Sequence, residues 1–181
     1  MKSFFLFLWE ILKIAIFAFV IVIPIRYFLF QPFFVLGQSM EPSFENGDYL
    51  LVNEISYRFQ DPQRGDVIVF KYPGNLSQRY IKRIIGLPGE TVEIEDGKII
   101  ISKNGTEQTL DESSYLPSLL ETSGDAQVVL GQNEYFVLGD NRPFSSDSRR
   151  WGILPRENII GKVFLRAWPI SAFTEIKVPT Y

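Results

Sequence analysis

Thr91-Val92-Glu93-Ile94-Glu95 and Lys98-Ile99-Ile100-Ile101 stand on either side of Asp96-Gly97. Two β-branched runs joined by Asp-Gly are the mark of an antiparallel hairpin closed by a type I′ turn. Short runs of the same kind continue in both directions. Toward the N-terminus lie Tyr49-Leu50-Leu51-Val52, Asp66-Val67-Ile68-Val69-Phe70 and Arg79-Tyr80-Ile81-Lys82-Arg83-Ile84-Ile85. Toward the C-terminus lie Glu134-Tyr135-Phe136-Val137-Leu138 and Ile159-Ile160-Gly161-Lys162-Val163-Phe164-Leu165. Between the hairpin and the later strands, Gly105 to Gln132 is polar and aperiodic and reads as an insertion on the β core. No unit of about 20–50 residues repeats, which excludes solenoids and propellers. The fold class is mainly β.

The first residues are of another kind. Residues 1–36 hold Lys2, Lys13 and Arg26 against Glu10, which leaves residues 37–181 with a net charge of -5. Nothing from Ile14 to Ile25 is charged. About 20 residues at 1.5 Å each cross a hydrocarbon layer of ~30 Å, and cations near the ends snorkel to the headgroups. Residues 8–30 therefore read as one transmembrane helix, with residues 1–7 a short cytoplasmic N-terminus and 31–181 an extracytoplasmic β-rich domain. The orientation follows from Lys2 and Lys13 on the N-terminal side against Arg26. The bulky run Phe30-Gln31-Pro32-Phe33-Phe34-Val35-Leu36 offers no small-x-small cleavage site, so the helix is expected to be retained in the cell membrane as a single-pass anchor.

Composition narrows the chemistry. The 181 residues include no Cys and no His. Thiol nucleophiles, disulfides and a Ser-His-Asp triad are excluded, and zinc has almost no ligands to use. With 18 Lys+Arg against 21 Asp+Glu the chain is a poor candidate for binding nucleic acid. There is no phosphate-binding Gly-rich loop and no EF-hand loop. Any catalysis runs on Ser, Thr, Lys, Tyr or carboxylates.

Among the serines, Ser39 stands apart, in Gly37-Gln38-Ser39-Met40-Glu41-Pro42 just beyond the apolar segment. Gly37 allows close approach of a substrate, and Pro42 stiffens the chain after the turn. The motif alone also suits an ordinary loop serine. Without His, the base for a serine is a lysine that is neutral near pH 7. Strand alternation puts Lys82 on a face with Tyr80 and Ile84, and turns Arg83 away with Ile81 and Ile85. Burial disfavours the charged form. At an ordinary pKa of about 10.4, roughly one lysine in a few thousand is neutral at pH 7; a drop of ~2–3 units costs about 3–4 kcal/mol and raises that fraction ~100–1,000-fold. A snorkelling or salt-bridged lysine fits the same alternation. The third cluster, Gly139-Asp140-Asn141-Arg142-Pro143-Phe144-Ser145-Ser146-Asp147-Ser148-Arg149, is either a dense turn or a hydrogen-bonded shell in which Ser145 or Ser148 orients another group. In it Asp147 has Arg149 or Arg83 as a partner.

Taken in order, these segments resemble the type I signal peptidases, membrane-anchored Ser/Lys proteases of the S26 type that remove signal peptides from exported proteins. The resemblance rests on Ser39-Met40-x-Pro42, Arg64-Gly65-Asp66-Val67-x-Val69-Phe70, Tyr80-Ile81-Lys82-Arg83-x-x-Gly86-x-Pro88-Gly89 and Gly139-Asp140-Asn141-Arg142-x-x-Ser145-x-Asp147-Ser148-Arg149. It implies an antiparallel β-sheet catalytic core with a smaller, variable β insertion around 103–133. It implies Ser39 as nucleophile, Lys82 as general base, Ser145 as the hydroxyl that orients the lysine, and Asp147, Arg149 and Arg83 as structural support. Some members carry a serine two residues before the nucleophile; Gly37 stands there in this chain, so the oxyanion would fall to the backbone N–H groups of Gly37 and Ser39. Shallow pockets for small side chains are expected near Val35, Phe44, Tyr80 and Ile81. The implied partners are signal peptides and the lipid bilayer, with no cofactor, metal or nucleic acid. Two other readings differ in kind: a self-cleaving repressor-type Ser/Lys hydrolase, and a tethered β module that binds peptides without cutting them.

Overall fold

Asp96 and Gly97 have φ of +49° and +77°, and Glu95 pairs directly with Lys98, so the hairpin closes through the two-residue turn that Asp-Gly predicts. The computed structural model describes residues 2–24, 30–117, 120–179 and 181. A helix α1 (Lys2–Pro24) precedes the strands β1 (Phe30–Phe34), β2 (Tyr49–Asn53), β3 (Val67–Tyr72), β4 (Asn75–Gly86), β5 (Thr91–Glu95), β6 (Lys98–Lys103), β7 (Thr106–Thr109), β8 (Ala126–Val129) and β9 (Glu134–Leu138). A one-turn helix α2 (Ser148–Trp151), then β10 (Leu154–Pro155), β11 (Ile159–Trp168) and β12 (Thr174–Glu175) complete the chain.

The strands form two antiparallel sheets. The larger runs β1-β2-β11-β3-β4-β9-β10, with β12 on β11; the smaller runs β7-β6-β5-β8. The smaller sheet starts at Thr91, well upstream of the expected insertion boundary at 103, because the Asp-Gly hairpin is its centre. The polar stretch after Gly105 contributes only its outer strands, β7 and β8. Val92, Ile94, Ile99 and Ile101 on one face of the hairpin pack with Ile85, Phe136 and Leu138 of the larger sheet. Each such side chain contributes about 1.5–3 kcal/mol on burial.

Strand β4 positions the site. Its first residues are exposed and its last six, Ile81 to Gly86, are all buried, because both faces are covered. On one face Ile81 packs with Val35, Met40, Phe44 and Val69. On the other, Ile84 packs with Ile68, Phe70, Tyr135 and Leu154. A continuous buried run follows from two covered faces, where a half-exposed strand would alternate.

Helix α1 begins at Lys2, earlier than the helix expected over 8–30, and Phe30 at the far end of that span belongs to β1. Among the described residues no helix is long and apolar enough to cross a membrane. Residues 25–29 of the expected span lie outside the described residues.

Candidate active site

Ser39 sits in the loop between β1 and β2. Met40 and Phe44, one turn apart, bury their side chains in the core, and the Phe44 N–H donates to the Met40 carbonyl at 2.9 Å. Ser39 is thereby held at the surface of a pinned turn. Across from it, β3 and β4 pair Ile68 with Lys82 and Val67 with Arg83. Lys82 is 3% exposed. Its Nζ donates to Ser39 Oγ at 2.6 Å and to the Ile81 carbonyl at 2.8 Å. Burial pushes the Lys82 ammonium down to about 8, against an upward pull from the carboxylates of Asp147 and Asp140. A nucleophile and a base with an accessible neutral form are in hydrogen-bond contact.

A groove of about 540 Å³ opens in front of this pair. Tyr80 and Ile81 line it, with Leu36, Gly37, Phe144 and Ser146. Val35 and Phe44, expected as pocket residues, belong instead to the core, 1% exposed each. The residues on either side of Val35 along the backbone, Phe34 and Leu36, line the groove in its place.

The loop after β9 closes the site from the other side. Asp147 accepts from Arg149 Nε and Nη2, both at 2.8 Å, and from the Gly139 N–H at 3.1 Å. Burial pushes the Asp147 carboxyl up, but Arg149, the neighbouring Ser145 hydroxyl and the Gly139 N–H outweigh it and hold the group below the usual carboxylate range. Asp147 also caps α2 through the Arg149 N–H. Arg83 does not reach Asp147; it pairs with Asp140 through Nε at 2.9 Å and Nη2 at 2.6 Å, and donates to the Gly65 carbonyl at 3.0 Å. Ser145 Oγ is buried beside Asp147, yet it meets hydrogen-bond geometry with no partner among the described residues. It is not bonded to Lys82. The Gly37 N–H, expected to face an oxyanion, donates to Asn46 Oδ1 at 2.9 Å, whereas the Ser39 N–H has no acceptor among the described residues.

Some contacts were not legible beforehand. Arg142, 1% exposed, makes a bidentate pair with Glu112 at 2.7 and 2.6 Å, bonds Thr122 Oγ1, and donates from Nε to the Gly139 carbonyl at 3.1 Å. Asn141 donates from Nδ2 to the Gln38 carbonyl at 3.0 Å and from its own N–H to the Ser39 carbonyl at 3.1 Å. The density of Asp, Asn and Arg after β9 signalled a network, but which acid meets which base depends on how the insertion folds over the loop. Among the described residues no cluster of acidic side chains is arranged to hold a metal.

The model of the family described as signal peptidase, peptidase S26, matches residues 8–168. Signal peptidase I of Leptolyngbya laminosa is 40% identical over 167 residues, covering 88% of this chain and 79% of its own. Probable signal peptidase I-1 of Synechocystis sp. is 38% identical over 179 residues, covering 93% and 88%. A crystal structure of a signal peptidase I from Enterococcus faecalis aligns with a TM-score of 0.46 and 37% identity, over 57% of this chain and 97% of that one. The chain belongs to the signal peptidase family, peptidase S26, serine proteases that act on the signal peptides of preproteins.

Proposed function

We propose that the chain is a membrane-anchored endopeptidase that removes N-terminal signal peptides from exported preproteins through a Ser39/Lys82 dyad. The observation that carries the reading is the 2.6 Å contact between Lys82 Nζ and Ser39 Oγ at the floor of the groove. In the acylation step neutral Lys82 takes the hydroxyl proton as Ser39 Oγ attacks the scissile carbonyl carbon. The tetrahedral intermediate collapses, the ammonium gives its proton to the leaving amine, and an ester on Ser39 remains. Lys82 then takes a proton from water as the water attacks the ester. The second tetrahedral intermediate collapses, the proton returns from Lys82 to Ser39 Oγ, and the product leaves as a carboxylic acid that ionises in solvent.

The free Ser39 N–H is the oxyanion donor in this reading, and Gly37 joins it only if its bond to Asn46 is released. Ser145 takes the orienting role toward the lysine. Its hydroxyl is buried beside Asp147 and borders Gly139, whose α-carbon also borders the Ser39 carbonyl. Asp147, Arg149 and Arg83 support the loop and β4 through their ion pairs. Tyr80 and Ile81, with Leu36 and Phe144, restrict the groove to small side chains.

Anchoring is part of the same proposal. Helix α1 exposes Phe4, Phe7, Trp9, Ile14, Phe17 and Phe19, apolar side chains on all its faces. Its interior charges, Lys13 and Glu10, pair at 2.7 Å. A helix apolar all round is buried by lipid rather than by one face of a small domain. With the N-terminus cytoplasmic and the β domain outside, enzyme and signal peptide share one thin layer, which raises their effective concentration.

The test is cleavage of a signal-bearing preprotein by the full chain in detergent. Ser39→Ala and Lys82→Ala are expected to lose about 10³-fold or more in kcat; either variant cutting at the wild-type rate refutes the dyad.

A further inference from the structure

The peptide unit between Gln38 and Ser39 carries both the carbonyl that Asn141 binds and the free N–H in front of the nucleophile. In a trans peptide these two groups point in opposite directions, so fixing one aims the other. Asn141 Nδ2 holds the Gln38 oxygen at 3.0 Å. The Asn141 N–H holds the next carbonyl, that of Ser39, at 3.1 Å. Gln38 and Ser39 line the groove and Asn141 does not. Both carbonyls are thus held by Asn141 in the loop after β9, whose Phe144 and Ser146 line the same groove, and the Ser39 N–H, anti to the Gln38 oxygen, points away from the Asn141 amide. The neighbouring donor of the loop, the Gly37 N–H, is spent on Asn46.

We propose that Asn141 is a positioning residue: its side-chain amide pins the Gln38 carbonyl and so aims the Ser39 N–H at the oxyanion of the tetrahedral intermediate. The inference rests on the peptidase reading above and deepens it. The hydrogen bond to the carbonyl also polarises the peptide unit and strengthens its N–H as a donor. Two distant stretches of sequence are coupled by this contact, so the oxyanion site forms only when the loop after β9 is seated against the nucleophile turn.

The experiment uses the full chain in detergent, with Asn141→Ala, which removes the side-chain amide but keeps the backbone bond to Ser39, and Asn141→Asp, which keeps the size and replaces the donor by an acceptor. Both are expected to lower kcat on a preprotein about 10- to 100-fold, a fraction of what deletion of an oxyanion donor itself costs. KM should stay within about twofold in both, and in Asn141→Ala, which adds no charge, the pH midpoint of the activity should not move. A peptide aldehyde, whose adduct with Ser39 places an oxygen where the oxyanion forms, should lose affinity by a similar factor. An unchanged kcat in Asn141→Ala and Asn141→Asp, or a loss in Asn141→Ala carried by KM or by a displaced pH midpoint, overturns the proposal while leaving the peptidase intact. Failure of the wild-type chain to cut, or cutting by Ser39→Ala, removes the peptidase reading itself.

Discussion

Lys82 Nζ lies 2.6 Å from Ser39 Oγ, on a strand segment with both faces buried. The amine is kept from water by the packing that stabilises β4, so the same burial that favours the fold disfavours the ammonium. Activity and stability therefore oppose each other at this residue.

Replacing Lys82 by Met should stabilise the protein while abolishing cleavage. The folded-state pKa is lowered from 10.5 to about 8, so below pH 8 the folded chain holds a proton at a cost of about 3 kcal/mol. Between pH 8 and 10.5 the unfolded state binds more protons than the folded one, so wild-type stability rises with pH through that window. Urea titrations at pH 7 should show Lys82→Met more stable by about 1–3 kcal/mol, an advantage that shrinks toward pH 10.5. A less stable variant at pH 7 contradicts the account.

The rate of preprotein cleavage should follow the neutral amine. The reactive form is the one that has lost its proton, so kcat/KM should climb about tenfold per pH unit up to a midpoint near 8 and then level. A profile already flat from pH 5 to 8 would show that Lys82 is not the base.

Gly139 has no room for a side chain. A Cβ there would collide with the Ser39 carbonyl oxygen and with Ser145 Oγ. The first is backbone and yields only if the nucleophile turn moves. Gly139→Ala is expected to cost about 1–3 kcal/mol in a thermal melt. It should also lower kcat by about 100-fold or more, since an error near 1 Å in the reacting groups is enough. Wild-type kcat in this variant would show that the turn tolerates displacement.

Arg142 ties the smaller sheet's connecting segment to the catalytic loop. Glu112→Ala leaves the buried guanidinium without its charge partner and should destabilise the chain by about 3–5 kcal/mol. The pair Glu112→Met with Arg142→Met should recover much of that loss, because two apolar side chains leave no buried charge behind. Calorimetric melts of the single and double variants decide it; additive losses would contradict the coupling.

Composition alone restricted the chemistry open to the site. A chain without His or Cys leaves a lysine as the base for a serine, but alternation in β4 suits a salt-bridged Lys82 equally, and the pairing of Ser39 with Lys82 came from the resemblance of the four ordered motifs. The Asp96-Gly97 turn was legible because φ values of +49° and +77° demand those residue types. What depends on distant packing was not. Val35 was expected at a pocket for small side chains, but it packs with Met40 and Phe44 in the core and leaves Leu36 to line the groove. Asp147 had two basic candidates, Arg149 and Arg83, and only the seating of the loop after β9 gives it Arg149 and hands Arg83 to Asp140. The role of Glu112 had no local signal, since its partner lies 30 residues away.

The most direct test is the titration of the Lys82 amine itself, followed by NMR of the εCH₂ group in the full chain with ¹³C-labelled lysine and assigned by loss of the signal in Lys82→Met. A midpoint near 8 is expected. A midpoint at or above about 10, the ordinary value for a solvated lysine, would mean that the amine stays protonated at neutral pH and that Ser39 has no base.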